Sequence, residues 1–216
     1  MNRSFLRNAC AFVLSLPFLL PPALHAQSLP KPREFYFDAD ASTTRPVVLV
    51  EGTDEATQQK LARAMRGKGR DADLATGQLA HIAYASGRAD TGDMLYARVL
   101  ARIDENNSLR RPLLWNRGWD QYRAGNAEGA LASWREAGAQ ARGNPGWAPP
   151  ALALALWTLD RREEALQWYA AAVRTEPTQW RDPANLPTLL SNWREAERAK
   201  LAEVAAAWQA APPAWP

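Results

Sequence analysis

One pattern of aromatic and small residues, written three times between residues 78 and 177, constrains the fold more than any other feature of the sequence. Each copy is centred on a turn residue between two apolar segments, and the centres Gly87, Gly125 and Asp160 are 38 and 35 residues apart. Each centre has an aromatic residue three positions before it (Tyr84, Tyr122, Trp157), a small residue five positions after it (Gly92, Ala130, Ala165) and an aromatic residue nine positions after it (Tyr96, Trp134, Tyr169). Helix-pair repeats have periods of about 34 residues, so the pattern predicts three stacked pairs of helices.

Apolar residues recur at helical spacing on both sides of each centre and give the expected limits of the six helices. These limits are Asp71 or Asp73 to Tyr84 and Ala89 to Ile103, then Leu113 to Tyr122 and Glu128 to Gln140, then Leu152 to Leu159 and Glu163 to Arg174.

The pattern resembles the tetratricopeptide repeat (TPR), most closely over Leu152–Pro177 with its closing proline. The resemblance implies that small residues let the two helices of a pair approach closely, while a large aromatic residue fills the space between neighbouring pairs. The close-approach residues would be Ala80, Gly118, Ala153, Gly92, Ala130 and Ala165, and the aromatic residues between repeats would be Tyr96, Trp134 and Tyr169. Three residues depart from the family pattern: Asp160 stands at the turn glycine, Arg117 stands at a core leucine, and Gly92 weakens the helix that it should help to pack.

The expected fold class is therefore mainly α, an α-solenoid of about three TPR-like helix hairpins over residues 71–178. Two short runs, Glu34–Asp38 and Pro46–Val50, predict a β-hairpin within the linker region 27–52. A leading helix is expected within residues 53–70, from Thr53 or Asp54 to Met65 or Arg66. Residues 179–216 are expected to supply a capping helix from about Thr188 to Trp208 and a proline-rich tail. The stripe that this helix would bury consists of Leu190, Trp193, Glu197, Leu201, Val204 and Trp208.

Residues 1–26 have the features of a cleaved export signal: Arg3 and Arg7 precede an apolar run that is shorter than a membrane span. Their removal leaves a net charge of +1 and no cysteine. We therefore expect an exported protein, periplasmic or alternatively secreted, with no stable membrane span after cleavage and no nucleic-acid partner.

Few residues could carry chemistry. His81 is the single histidine after residue 26, and neither a glycine-rich phosphate loop nor a nucleophile elbow is present. The sequence therefore predicts no enzymatic activity, no catalytic residue, no cofactor and no metal site.

All ten tryptophans lie between Trp115 and Trp215, and Trp115, Trp119 and Tyr122 share one helix face at positions i, i+4 and i+7. In the repeat family, the first helix of each pair lines a concave groove in which peptides commonly bind. The resemblance therefore implies a partner-binding groove whose residues are His81, Tyr84, Trp115, Asn116, Trp119, Tyr122, Arg123 and Trp157. An aromatic stripe of this kind can equally be core, and the N-terminal hairpin could fill the groove.

The expected function is a non-enzymatic protein- or peptide-binding scaffold of the cell envelope that uses the concave face of the superhelix. Two alternatives stay open. One is a structural module that self-associates through the N-terminal hairpin, with a filled groove. The other is a carbohydrate-binding cleft rich in tryptophan.

Overall fold

The computed structural model of the protein describes Pro32, residues 37–141 and residues 143–214, and these residues are mainly helical. The helices are α1 (Ala41–Thr44), α2 (Glu55–Met65), α3 (Arg70–Ala85), α4 (Ala89–Arg102), α5 (Arg110–Arg123), α6 (Ala127–Ala139), α7 (Ala148–Thr158), α8 (Arg162–Thr175), α9 (Pro177–Trp180), α10 (Leu186–Leu189) and α11 (Glu195–Ala210), and the two strands are β1 (Phe37–Asp38) and β2 (Asn144–Pro145). The mainly α fold class is thereby confirmed. The predicted signal of residues 1–26 lies outside the described residues.

Three short turns of the same geometry join α3 to α4, α5 to α6 and α7 to α8. The centres of the sequence pattern all have left-handed backbone, with φ of 74° at Gly87, 87° at Gly125 and 59° at Asp160. The amide after each centre donates to the carbonyl five residues earlier, over 2.9 Å from Arg88 to Ala83, 2.8 Å from Asn126 to Gln121 and 2.9 Å from Arg161 to Leu156. Of the two hydrogen bonds that define the Schellman motif, this one spans more residues along the chain. The motif ends a helix on a left-handed residue. Asp160 therefore occupies the glycine position, where a short polar side chain is tolerated.

Glycines in two of the helix pairs allow an aromatic ring to lie against a helix backbone. A Cβ on Gly118 in α5 would lie 2.5 Å from Cδ1 of Trp134 in α6. A Cβ on Gly92 in α4 would lie 2.6 Å from Cε2 of Tyr84 in α3. Both glycines are thus explained by the ring that they accommodate, although glycine weakens a helix interior by about 1 kcal/mol relative to alanine.

The three aromatic residues at the ninth position, Tyr96, Trp134 and Tyr169, are each fully buried at 0% exposure. Tyr96 in α4 donates its hydroxyl to Asp120 in α5 over 2.7 Å, which connects the first pair to the second. Tyr169 in α8 donates to the Trp180 carbonyl over 2.7 Å, which connects the third pair to the C-terminal segment. The indole of Trp134 instead donates to the carbonyl of Trp115 within its own pair, over 3.2 Å.

The predicted β-hairpin is wrong in its second strand. Pro46–Val50 forms no strand, and the short strand β1 pairs in parallel with β2 instead. The side chain of Gln78 supplies the hydrogen bonds that a partner strand would have supplied. Its Oε1 accepts from the amides of Leu49 (2.8 Å) and Val50 (3.2 Å), and its Nε2 donates to the Val50 carbonyl over 2.6 Å. Residues 34–36 of the first predicted strand lie outside the described residues.

The single capping helix predicted from Thr188 to Trp208 is also wrong, because the chain forms α10, a turn and then α11. The break lies at Leu190–Arg194, where the amide of Trp193 donates to the Leu190 carbonyl over 2.9 Å. Glu197 then accepts the amide of Arg194 over 2.7 Å, which is how a carboxylate in the first turn starts a helix. Leu190, Trp193 and Leu201 are nevertheless all buried as expected, and α11 packs on α7 and α8.

Within the part of the chain that the structure describes, no helix combines the length and the apolar character needed to cross a bilayer.

We expect Gly118→Ala to lower the free energy of unfolding by about 1–3 kcal/mol, because the added methyl must displace the buried ring of Trp134. The matched control is Gly138→Ala in α6, where the nearest atom to a new Cβ is Cη2 of Trp147 at 3.8 Å. That substitution should be neutral or stabilising by up to about 1 kcal/mol. Urea unfolding followed by circular dichroism measures both, and equal effects at the two glycines would contradict the close approach.

Candidate tryptophan-lined binding cleft

A cleft of about 670 Å³ lies against the face of α5 that carries Trp115 and Trp119. Three other parts of the chain complete it: the end of α1 with Pro46, the start of α7, and the segment from α9 to the turn before α11. The full lining is Thr44, Pro46, Trp115, Asn116, Trp119, Arg123, Gly146, Trp147, Pro150, Trp180, Leu189, Leu190, Asn192 and Trp193. Its volume lies within the range of about 300–1,000 Å³ that is usual for ligand pockets.

The tryptophan rings of the cleft pack against one another through Trp119. The centroid of this ring lies 4.7 Å from that of Trp193, 5.0 Å from Trp134 and 5.6 Å from Trp115. The rings of Trp115 and Trp147 are 5.0 Å apart. The interplanar angles of Trp119 with these three tryptophans lie between 65° and 85°, so each pair meets edge to face, an arrangement that aromatic rings favour.

Polar contacts connect the N-terminal wall of the cleft, which contains Thr44 and Pro46, to α5 and to the start of α7. Asp40 accepts a hydrogen bond from the indole of Trp147 over 2.8 Å and forms an ion pair with Arg111. Asn116 donates to the carbonyl of Arg45 over 3.0 Å and to that of Pro112 over 2.8 Å. Thr44 and Pro46 therefore form part of one side of the cleft.

Arg123 connects α5 to the C-terminal wall of the cleft. Its Cζ lies over the ring of Trp119, 4.8 Å from the centroid. Its guanidinium donates to both carboxylate oxygens of Glu197, over 2.8 Å and 3.1 Å. The side chain of Glu197 is only 5% exposed. This buried, bidentate pair neutralises the single charged side chain of the lining.

Three indole N–H groups of the lining, those of Trp115, Trp119 and Trp193, have no hydrogen-bond partner among the described residues. None of them is a fully buried atom, so water can still reach each one. The other two lining indoles are paired, Trp147 with Asp40 and Trp180 with Glu176 over 3.3 Å. The lining therefore includes three tryptophans whose indole N–H groups are not paired with another described residue.

Four of the eight predicted groove residues line this cleft, namely Trp115, Asn116, Trp119 and Arg123. The other four lie elsewhere. The hydroxyl of Tyr122 lies 2.9 Å from Oγ1 of Thr158, the indole of Trp157 donates to Glu203 over 2.9 Å, and Tyr84 packs against Tyr96 with ring centroids 6.3 Å apart. Among the described residues, no ring contact joins two members of the predicted row Tyr84, Tyr122 and Trp157.

His81 belongs to a separate polar network outside the cleft. Its Nδ1 lies 2.8 Å from one carboxylate oxygen of Asp120, and the other oxygen accepts the hydroxyl of Tyr96. Asp120 is buried, whereas the side chain of His81 is 52% exposed. The hydrogen bond to Asp120 raises the pKa of His81 above its usual value, and burial partly opposes this effect.

Sequence reasoning missed the lining contributed by Trp147, Trp180 and Asn192. These residues come from segments that are far from α5 in the chain, and no spacing rule connects them to it. The sequence places Trp193 on the buried stripe of the capping helix. Its ring is buried there, and it also contacts Trp119. The high tryptophan content after residue 114 was the available signal.

The described residues contain no group of three histidine, cysteine, aspartate or glutamate side chains arranged to hold a metal ion. Comparisons with protein-family models, with curated proteins and with solved structures found no match to this chain.

We expect His81 to stabilise the fold more at low pH than at high pH. Because its folded pKa is raised, its contribution is fully present below the unfolded value of about 6.5 and is lost as the pH rises through the folded pKa. The unfolding free energy of the wild type minus that of His81→Gln should therefore be larger at pH 5.5 than at pH 8.5. Denaturant titrations at both pH values test this, and a difference that does not change with pH would refute it.

Proposed function

We propose that this protein is a non-enzymatic binding protein of the TPR type, in which three helix hairpins over residues 71–178 stack as an α-solenoid. Two observations support this architecture: the three turns share one hydrogen-bond geometry, and the aromatic residues at the ninth position are all buried. Stacking of this kind buries the apolar faces that a lone hairpin would expose. We further propose that the protein is exported and acts in a bacterial envelope, either in the periplasm or after secretion.

The proposed activity is the docking of a protein or peptide segment in the tryptophan-lined cleft. The observation that carries this proposal is the group of unpaired indole N–H donors of Trp115, Trp119 and Trp193 within an aromatic cleft. A donor that water can reach is not left unsatisfied, but it can exchange that water for an acceptor on a ligand. Tryptophan is also among the residues that dominate binding energy at protein interfaces.

Two rival functions are less well supported. The structural module requires a filled groove, whereas the N-terminal segment with Thr44 and Pro46 forms a wall of the cleft. The carbohydrate site requires an indole face open for stacking. The five lining tryptophans are between 6% and 9% exposed, so little indole surface is open for stacking.

We expect Asn192→Trp to abolish peptide binding without unfolding the protein. Asn192 is exposed and lines the cleft, so a large ring there obstructs the opening while the core stays intact. Peptides selected from a displayed random library on the wild type should bind the variant at least about tenfold more weakly. The unfolding free energy should change by no more than about 0.5 kcal/mol, as is usual for surface substitutions.

The matched control is Asn106→Trp, an exposed asparagine outside the cleft lining. It should leave the affinity of the same peptides unchanged. Selected peptides that bind the wild type and Asn192→Trp equally well would place recognition elsewhere on the protein and contradict the proposed function.

A further inference from the structure

We propose that the junction of α2 and α3 is a second interaction surface, which attaches the protein to an anionic phospholipid bilayer. Residues 56–70 carry five cations and no carboxylate, whereas the chain after residue 26 has a net charge of only +1. We call these five cations the basic segment: Lys60, Arg63, Arg66, Lys68 and Arg70. None of them lines the tryptophan cleft, so this surface is separate from the proposed peptide site.

The positive charge of the basic segment is not neutralised within the described residues. All five residues are exposed, and none forms an ion pair with another described residue. Arg70 donates only to a neutral group, the hydroxyl of Ser108, over 3.2 Å. The segment is therefore free to attract an anionic partner.

The backbone places part of the segment in one row. Lys60, Arg63 and Arg66 are three residues apart, and Arg66 keeps helical backbone at the end of α2, with φ of −76° and ψ of −14°. Residues at this spacing are neighbours on a helix surface. Lys68 and Arg70 continue the charge through the connection into the start of α3.

Helix capping explains only two of the five cations. Cations stabilise the last turn of a helix, which accounts for Arg63 and Arg66 at the end of α2. Lys68 and Arg70 instead lie at the beginning of α3, where the helix dipole is positive and opposes them. The adjacent carboxylate of Asp71 forms no ion pair with either. These two cations thus work against the local fold, which favours a role for them in binding.

A fluid surface of phosphate groups is the partner that fits such a segment. Each Lys or Arg near an anionic bilayer strengthens attachment about fivefold. Lipid headgroups can diffuse beneath exposed cations without a fixed geometry, whereas protein interfaces are depleted of lysine and form around packed side chains. The two exposed large apolar residues of the described chain, Val48 and Met94, lie outside the segment. Attachment is therefore electrostatic and depends on salt.

The test is cosedimentation with phosphatidylcholine vesicles that contain phosphatidylglycerol, and with vesicles of phosphatidylcholine alone. The chain tested begins at Gln27, as export would leave it, because the preceding apolar run would enter a bilayer by itself. We expect binding to the anionic vesicles only. Raising the ionic strength from about 0.1 M to about 1 M should abolish it, since the Debye length falls from about 10 Å to about 3 Å.

The double variant Lys68→Gln/Arg70→Gln removes the two cations that oppose the dipole of α3. It should weaken binding to the anionic vesicles roughly tenfold to thirtyfold, at about fivefold per cation. Its urea midpoint should stay the same or rise, because an unfavourable interaction with the dipole is lost. The matched control Arg88→Gln/Arg181→Gln removes the same charge from exposed positions elsewhere, and should weaken binding no more than about twofold.

The outcomes are distinct. No binding to the anionic vesicles at low ionic strength would overturn the inference, and so would equal losses in the two double variants, which would show an effect of net charge alone. Binding to a DNA duplex but not to the anionic vesicles, lost in Lys68→Gln/Arg70→Gln, would assign the basic segment to nucleic acid and overturn the lipid partner. None of these results bears on peptide binding in the cleft, which Asn192→Trp tests separately.

Discussion

The packing of Trp134 against Gly118 is the contact on which the rest of the structure depends. It lets α5 and α6 approach closely, and the buried indole of Trp134 donates to the carbonyl of Trp115. The same ring lies 5.0 Å from Trp119 and 6.1 Å from Tyr122 between centroids, so it supports one whole face of α5. Trp115 and Trp119 pack on Trp134 of the same pair and also line the cleft. A rigid scaffold of this kind reduces the entropy lost when a ligand orders its binding site.

The two ends of the described chain convert this face into a cleft. Asp40 reaches Arg111 and Trp147 from the N-terminal side, and Glu197 reaches Arg123 from the C-terminal side. Both carboxylates are 8% exposed or less, so each is paired in a site from which water is largely excluded. Such pairs contribute modest net stability, but the removal of one partner is costly because a buried charge is left alone. Their main effect here is to fix the positions of the two walls of the cleft relative to α5.

The sequence predicted the features that depend on neighbouring residues. The turns at Gly87, Gly125 and Asp160 follow from local backbone preferences, and α2 begins at the cap Asp54 and ends at Met65 as its residues indicate. The predictions fail where a side chain forms hydrogen bonds with the backbone that sequence spacing does not reveal. Such bonds can replace a partner strand or start a new helix. Gln78 replaces a partner strand for Leu49 and Val50, and the carboxylate of Glu197 starts α11 at a point where apolar spacing alone predicted a continuous helix. The face of α5 was predictable for the same local reason. Its opposing walls come from segments more than 20 residues away and were not predictable.

Solvent exchange of the indole protons tests most directly whether the cleft is accessible and is the binding site. Each of the ten tryptophans can give a separate indole signal in a nitrogen-15 NMR spectrum, which substitution to phenylalanine assigns. We expect the indole protons of Trp119 and Trp193 to exchange rapidly with water in the free protein, and that of Trp134 to exchange slowly. A peptide bound in the cleft should slow the exchange of the first two. Slow exchange at Trp119 and Trp193 in the free protein, unchanged by any peptide, would contradict the account.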